Sequence, residues 1–315
     1  MIVVDDGSTD QTLTRARDFC SSMVKVIGQS KHGAAAARNK ALELSGGDYI
    51  QWLDADDLLA PDKIERQMRV ALEDGLSKRT VLSGPWAQFI YRPSKAIFSP
   101  TALWCDLSPR EWLIRKMEQN LHMQTATWLV SRELTDRAGP WDMRLSLDDD
   151  VEYFCRVLGA SIGTRFVPEA TVFYRAASSA SLCNVDGSRE KLESYIQSTI
   201  LHVRYVRGYA DDERVRSACL RYLQRRLPKV FPEMPDLVQK LETLAADLGA
   251  RLETPKMGGA YSLLEAFFGY GTAKRAQSFL RRSKNGVIRS WDRILSRFEN
   301  IPLTTTTRRS LSGSG

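Results

Sequence analysis

Short apolar strands alternate with helices over the first 71 residues, and this alternation constrains the fold more than any other feature of the sequence. Residues 2–4, 24–27 and 49–53 have the β-branched or apolar character of strands, whereas residues 34–44 and 61–71 have helical character. This order is typical of a doubly wound, mostly parallel sheet flanked by helices. Because the run at 49–53 is apolar almost throughout, it predicts a strand buried on both faces.

Two acidic clusters come directly after strands in this pattern. Asp5 and Asp6 follow the first strand, and residues 54–57 (DADD) follow the third. Ligands of doubly wound sheets bind beyond the carboxyl ends of the strands, so both clusters are expected at one binding edge. Residues two apart in an extended segment point the same way, so Asp54 and Asp56 can face one ligand. The alternative is that these aspartates form a solvated turn or a helix cap.

The chemistry that suits Asp54 and Asp56 is binding of Mg²⁺ or Mn²⁺ together with a sugar diphosphate. Hard divalent cations hold diphosphates through one or two carboxylates plus phosphate oxygens. Asp5 and Asp6 also allow two interpretations. They form a tight turn with a capped helix behind it, or one of them accepts the N–H of a nucleobase while the helix N-terminus lies near the phosphates.

The net charge of +7 belongs to the C-terminal tail and not to the body of the chain. Residues 271–315 contain ten Lys or Arg against two Asp or Glu, whereas residues 1–270 contain 35 against 36. A nucleic-acid-binding protein would carry its positive charge on the folded body, so nucleic acid is not an expected partner.

The cysteines and the hydropathy pattern favour a cytoplasmic protein. Five scattered cysteines without a CxxC pair indicate reduced thiols. No apolar stretch approaches the roughly 20 residues that a membrane-spanning helix needs.

Three blocks within residues 1–70 resemble the family 2 glycosyltransferases of the GT-A fold. Residues 2–10 (IVVDDGSTD) look like the family's first acidic signature, and residues 33–41 (GAAAARNKA) resemble its ARN-containing helix. Residues 47–57 (GDYIQWLDADD) are similar to its GDYI-x-FLDADD strand. The blocks keep the family's order and approximate spacing. The resemblance implies an α/β fold with a GT-A-type doubly wound mixed sheet flanked by helices, followed here by a C-terminal helical extension.

A weaker resemblance covers the family's acceptor segment. Residues 139–142 (GPWD) precede Asp149 and Asp150, with Arg156 downstream. On the family pattern Asp150 matches the catalytic aspartate and Asp149 the acidic residue before it. Three consecutive aspartates leave this register open by one residue. The alternative is a helix N-terminus that is acidic because the helix dipole favours negative charge there.

The resemblance implies a single in-line displacement that inverts the anomeric carbon. Asp150 would take the proton of the acceptor hydroxyl, and a divalent metal at Asp56, with Asp54 nearby, would offset charge on the departing nucleoside diphosphate. Asp5 or Asp6 would contact the nucleobase of the nucleotide sugar. Arg38 would approach the nucleotide, and Arg175 would contact the phosphates. The implied partners are a UDP-, dTDP- or GDP-linked sugar and a glycan or lipid-linked glycan acceptor.

Two departures from the family pattern affect these expectations. Family members usually begin some tens of residues earlier with a further strand, so we expect either an upstream start or impaired folding and donor binding. At position 177, where many relatives have a histidine that approaches the metal, this chain has Ala177. Metal binding would then rest on carboxylates, diphosphate and water. A catalytically impaired relative is therefore one alternative, and a nucleotidyltransferase is another, although no Gly- and basic-rich triphosphate loop is visible near the start.

The expected organisation has three parts. A glycosyltransferase domain would cover residues 1–185, with a nucleotide-sugar-binding half at 1–90 and an acceptor-binding half at 91–185. A helical region would occupy 186–303, and residues 304–315 would be disordered.

The tail contains a predicted amphipathic helix at residues 287–299. Its apolar positions form one face, and a basic stripe of Arg289, Arg293 and Arg297 lies beside that face. Such a helix can lie on an anionic membrane surface, at the inner face of the cell membrane. Alternatively, it packs on the catalytic body or on a second subunit. The apolar positions are Val287, Ile288, Trp291, Ile294, Leu295 and Phe298.

Overall fold

The computed structural model describes residues 1–73, 75–176 and 188–299. The strands are β1 (Ile2–Asp6), β2 (Lys25–Gln29), β3 (Tyr49–Ile50), β4 (Leu58–Leu59), β5 (Thr80–Ser83), β6 (Trp86–Phe89), β7 (Ile97–Phe98), β8 (Val130–Ser131), β9 (Gly163–Phe166) and β10 (Val172–Arg175). The helices are α1 (Thr12–Arg17), α2 (Ala34–Glu43), α3 (Lys63–Glu73), α4 (Pro109–Gln119), α5 (Arg132–Ala138), α6 (Asp149–Ala160), α7 (Arg189–Tyr209), α8 (Glu213–Val230), α9 (Pro235–Asp247), α10 (Tyr261–Phe268) and α11 (Tyr270–Ser296).

The strands form one four-stranded mixed sheet, in the order β4-β10-β6-β7, and three two-stranded pairs. β1 pairs in parallel with β2, β5 with β9, and β6 with β10. Antiparallel neighbours are β3 with β8, β4 with β10, and β6 with β7. A bridge between Leu82 and Leu129 joins β5 to the chain that enters β8. The predicted α/β fold with a mixed sheet and a C-terminal helical extension is confirmed, and antiparallel pairing is more extensive than the alternation alone suggested.

The predicted strand at 49–53 is wrong in its length and in its burial. Only Tyr49–Ile50 pair with a neighbouring strand, because β8 offers only two residues opposite them. Trp52 is buried edge-on against Trp141, with ring centroids 5.3 Å apart, whereas Leu53 is 45% exposed. The chain leaves the sheet after Ile50, so the acidic residues that follow lie on a connection and not on a continued strand.

The C-terminal helices share the core of the α/β part. One buried cluster joins residues of β3, α4 and α6 to residues of α7, α8 and α9. Among its members, Trp128, Tyr153 and Tyr222 are completely or almost completely buried. α7–α9 therefore form a layer behind the α/β part. The predicted boundary at residue 185 lies outside the described residues, as do Ala177 and the tail at 304–315.

The last two described helices are attached to this body at a few points. Ala273 of α11 is fully buried, and Lys274 pairs with Glu233 at 2.8 Å. At the other end of α11, Asp292 pairs with Arg92 at 2.6 Å and accepts the backbone N–H of Tyr91. The apolar side chains of residues 287–298 remain largely exposed. No helix among the described residues combines the length and apolar character needed to cross a membrane.

Candidate active site

The acidic connection after β3 is held by its last carboxylate. Asp57 is buried and accepts hydrogen bonds from the backbone N–H of Arg175, at 2.8 Å, and from the Nε2 amide of Gln124. Burial raises the pKa of Asp57 to about 7, although the Arg175 N–H acts against this. Asp57 was not among the predicted site residues. The alternation of side chains in an extended segment could have indicated its burial. If Asp54 and Asp56 face a ligand, Asp57 points the other way, toward the interior.

Buried polar side chains hold the chain just after β3 in place. The Nζ atom of Lys63, which is fully buried in α3, donates to the Oε1 atom of Gln51. The Gln51 amide in turn donates to the carbonyl oxygen of Ala126 at 2.9 Å. These contacts connect the segment before Asp54 to the segment at 124–127, which contacts Asp150 through Thr125.

Arg38 links the acidic connection after β3 to the aspartates at the start of α6. Its guanidinium donates to Asp54 at 2.8 Å and to Asp149 at 2.8 Å, and it stacks over the Trp141 ring at 4.4 Å. Burial favours the neutral form of Arg38, but the neighbouring carboxylates of Asp54 and Asp149 raise its pKa above the ordinary value. Asn39, the next residue, exchanges two hydrogen bonds with the backbone of Trp141, at 3.0 and 2.8 Å. α2 is therefore fastened to the turn that precedes α6.

The three consecutive aspartates at the start of α6 face three different environments. Asp148 adopts a left-handed conformation, with φ 63°, and turns toward α7 and α8. Asp149 pairs with Arg38, and Asp150 accepts a hydrogen bond from Thr125 Oγ1 at 3.4 Å. Burial raises the pKa of Asp149 and of Asp150 to about 6. The charge of Arg38 acts against this at both carboxyls, whereas the charge of Asp148 adds to it at Asp150. A carboxyl with this pKa is better matched to proton abstraction near neutral pH than an ordinary aspartate.

Asp5 and Asp6 lie at the carboxyl end of β1 and bind the local backbone. Asp6 accepts the N–H groups of His32 and Gly33, at 2.9 and 2.7 Å, immediately before α2. Burial acts to raise the pKa of Asp6, but these backbone hydrogen bonds and Gln29 lower it overall. Asp5 is buried and accepts the N–H of Ser8 at 3.1 Å. Asp6 therefore shapes the turn before α2 and Asp5 the turn after β1, and contact with a nucleobase stays a prediction.

Arg175 lies beside the acidic connection and grips its backbone. Its Nε donates to the carbonyl oxygen of Asp56 at 2.8 Å, and its Nη1 donates to that of Ile90 at 3.3 Å. The guanidinium also stacks over the Phe89 ring at 4.5 Å. The structure thus places Arg175 next to Asp56, and a phosphate contact stays a prediction.

The carboxylates available to a divalent cation are Asp54 and Asp56. One oxygen of Asp54 is engaged by Arg38, and Asp56 is exposed. Among the described residues no group of three or more His, Cys, Asp or Glu side chains is arranged to hold an ion. Mg²⁺ is commonly bound through one or two carboxylates plus substrate phosphates, so two acidic residues fit an ion that arrives with a diphosphate.

Solved structures show the same fold. The S. aureus TarS 1-349 structure in complex with UDP-GlcNAc matches with a TM-score of 0.60 at 16% identity, covering 78% of this chain and 74% of that one. A second S. aureus TarS structure matches with a TM-score of 0.55 at 15% identity, covering 78% of this chain and 44% of that one. The fold and the acidic edge of the sheet therefore define a GT-A-type α/β protein.

Sequence comparisons identify the family. Residues 1–136 match the family model described as Glycosyl transferase family 2. The Escherichia coli protein named UDP-Glc:alpha-D-GlcNAc-diphosphoundecaprenol beta-1,3-glucosyltransferase WfgD is 27% identical over 42% of this chain and 49% of its own length. The Bacillus subtilis putative teichuronic acid biosynthesis glycosyltransferase TuaG is 36% identical over 31% of this chain and 43% of its own. Through this region the chain is similar to the family 2 glycosyltransferases. Its matches span between 23% and 49% of the length of the leading curated relatives.

Proposed function

We propose that the chain is an inverting, nucleotide-sugar-dependent glycosyltransferase that acts in the synthesis of a cell-surface polysaccharide or glycolipid. The observation that carries this proposal is the Arg38 bridge. It holds Asp54, at the acidic connection after β3, beside Asp149, which directly precedes Asp150. One guanidinium thus binds both a proposed donor-binding carboxylate and the residue directly before a candidate base of raised pKa. This arrangement suits a reaction between two bound substrates.

In the proposed reaction Asp150 accepts the proton of the acceptor hydroxyl. The hydroxyl oxygen forms the new bond to the anomeric carbon from the face opposite the leaving group, and the bond to the nucleoside diphosphate breaks. Asp54 and Asp56 would hold a Mg²⁺ or Mn²⁺ ion, which supplies positive charge at the diphosphate when bound. Arg38 favours the ionised form of Asp149 and holds this side chain in place, and its charge also favours the deprotonated form of Asp150.

The proposed donor is a UDP-, dTDP- or GDP-linked sugar, and the proposed acceptor is a glycan or a lipid-linked glycan. The name of WfgD describes transfer to a diphosphoundecaprenol-linked sugar, and one TarS structure is a complex with UDP-GlcNAc. These similarities support the substrate classes and do not select a particular sugar.

Release of nucleoside diphosphate from a panel of sugar nucleotides, with Mn²⁺ or Mg²⁺ and then with EDTA, tests the proposal. Glycan and lipid-linked glycan acceptors are added in parallel, and nucleotide binding is measured by calorimetry. Metal-dependent release that an acceptor increases would support a transferase. Absence of both release and metal-dependent nucleotide binding would contradict it and would favour a catalytically impaired relative. Pyrophosphate release from a nucleoside triphosphate would instead indicate a nucleotidyltransferase.

The rate of transfer should depend on pH through the raised pKa of the Asp149–Asp150 pair. Since a general base acts when deprotonated, kcat/KM should be low at pH 5 and should rise to a plateau above pH 7, with its half-maximum near a pKa of about 6. Initial rates between pH 4.5 and 8.5 at saturating metal measure this. An acid limb centred near pH 4, the ordinary range of aspartate, would contradict the assignment.

We further propose that residues 287–299 make peripheral contact with an anionic membrane surface, at the inner face of the cell membrane. α11 carries seven Lys or Arg against one Asp, and that aspartate, Asp292, is paired with Arg92. Trp291 is 62% exposed and Phe298 81% exposed, so the apolar face is not covered by the described part of the body. Exposed aromatic side chains on a strongly basic helix fit a negatively charged lipid surface.

Co-sedimentation with vesicles of phosphatidylcholine, with and without phosphatidylglycerol, checks this contact. The double variant Trp291→Ser with Phe298→Ser should lose at least about tenfold in vesicle affinity, because each aromatic residue contributes about 1.5–3 kcal/mol on burial. Phe19→Ser, which removes an exposed aromatic residue elsewhere, serves as the control. Equal binding by both variants would contradict the proposal. A stable dimer without vesicles that the double variant abolishes would assign this face to a second subunit.

A further inference from the structure

Asp148 is tied into a closed polar network that reaches across the C-terminal helices. Its carboxylate accepts a hydrogen bond from Ser198 Oγ at 3.0 Å and pairs with Arg226 at 3.4 Å. Arg226 also donates to the hydroxyl of Tyr222. That hydroxyl lies 2.8 Å from Nδ1 of His202, whose Nε2 lies 3.4 Å from Ser198 Oγ. The network therefore runs from the start of α6 through α7 and α8 and back.

The network is buried and holds a charge pair away from bulk water. Ser198, His202 and Tyr222 have no exposed surface, and Arg226 is 8% exposed. The Arg226 guanidinium lies between two aromatic rings, 4.4 Å from that of Tyr195 and 4.3 Å from that of Tyr222. A buried ion pair fixes geometry more than it adds stability, and removal of one partner leaves an uncompensated charge. These contacts hold the Asp148 carboxylate in one position.

α7, which carries Ser198 and His202, also holds the residues before Asp148. Ser194 Oγ accepts the backbone N–H groups of Ser146 and Leu147, at 2.9 and 3.0 Å, and donates to the carbonyl oxygen of Leu147 at 3.0 Å. Ser194, Ser198 and His202 recur every four residues, so they form one polar stripe on the buried face of α7. This stripe holds the turn that leads into α6 along three consecutive residues.

The conformation of that turn decides which way the next two carboxylates point. Asp148 has φ 63°, a conformation that costs free energy for a residue with a side chain and persists only when its surroundings impose it. α6 begins at Asp149, so the left-handed residue sets the direction in which α6 enters the site. Asp149 then meets Arg38, and Asp150 meets Thr125.

We infer that Arg226, through Asp148, is a positioning residue for the catalytic carboxylates, and that α7 and α8 are part of the machinery of transfer. This inference rests on the proposed role of Asp150. Arg226 forms the hydrogen bond to Tyr222 and the ion pair with Asp148 described above. It therefore acts by holding the turn before α6 from the side of α8. A misplacement of about 1 Å at a catalytic group can lower a rate about 10²-fold.

The test compares Arg226→Met, which keeps the volume and removes the charge, with Leu227→Ala, a buried apolar neighbour in α8 that has no polar side-chain atom to join the network. Both variants should lower the melting temperature. Arg226→Met alone should lower kcat per folded molecule about 10²-fold, with the KM for the sugar nucleotide within about twofold of wild type. Arg226→Lys, which keeps a cation beside Asp148, should recover at least about tenfold of that loss.

Several outcomes would overturn the inference. A kcat within about twofold of wild type in Arg226→Met would assign Arg226 to stability alone, as would equal kcat losses in Arg226→Met and Leu227→Ala. If Arg226→Met does not fold, Ser198→Ala removes the hydroxyl contact to Asp148 and carries the same expectations at a smaller loss, about tenfold. Asp150→Asn is measured in parallel. Full activity of that variant would refute the proposed function itself, whereas an inactive Asp150→Asn beside a fully active Arg226→Met refutes only the positioning role.

Discussion

Asp150→Asn is expected to lower the rate of sugar transfer about 10²- to 10⁴-fold, the range that a general base contributes. The amide keeps the size of the side chain and its contact with Thr125 Oγ1, but it cannot accept the proton of the acceptor hydroxyl. Binding of the sugar nucleotide should be almost unchanged, since the carboxylates proposed for the donor and metal are Asp54 and Asp56. Transfer rates and nucleotide affinities of the purified variant measure both quantities.

A matched control separates loss of the base from a general effect of removing a charge. Asp136→Asn makes the same chemical change on an exposed position of α5 and should transfer at the wild-type rate. Asp149→Asn should also be impaired, but through the released Arg38, so its nucleotide binding is expected to change together with its rate. If Asp150→Asn keeps more than about a tenth of wild-type activity while Asp149→Asn loses all of it, the base is Asp149.

Asp56→Ala is expected to lower activity about 10²-fold or more and to abolish the metal dependence of nucleotide binding. A divalent ion at a phosphoryl oxygen offsets several kcal/mol of developing charge, and Asp56 supplies an exposed carboxylate for it. The fold should be retained, because the Asp56 side chain is exposed and the buried carboxylate of this connection is that of Asp57. Calorimetric titration of the nucleotide with Mn²⁺, and then with EDTA, gives the measurement.

Asp62→Ala, a few residues further along at the start of α3, is the control for this change. Asp62 is half exposed and pairs with Arg66 within α3, so its loss should leave metal-dependent binding at the wild-type level. Asp54→Ala should lose metal binding too, and it should also release Arg38. Unchanged Mn²⁺-dependent affinity in Asp56→Ala would show that the ion binds elsewhere and would remove Asp56 from the proposed site.

Local features were sufficient to predict the fold class and the family. Alternating strands and helices over the first 71 residues predicted the α/β sheet, and this prediction is confirmed, as is the resemblance of residues 2–10, 33–41 and 47–57 to family 2 glycosyltransferases. Such features can be read from sequence because a strand end, a turn and a helix start each depend on neighbouring residues. The aspartates at 54–57 and 148–150 were located for the same reason, and their roles remain predictions.

The direction in which those aspartates point was decided by the tertiary structure alone. Asp148, Asp149 and Asp150 are the same residue type, and their environments differ because Arg226, Arg38 and Thr125 approach them from distant parts of the chain. The strand at 49–53 was predicted too long because its length depends on a two-residue partner, β8. The sequence by itself thus determined the class of fold, the family and the positions of the acidic clusters. Burial and long-range ion pairs, which no local pattern encodes, determined how the carboxylates are oriented and how their pKa values shift.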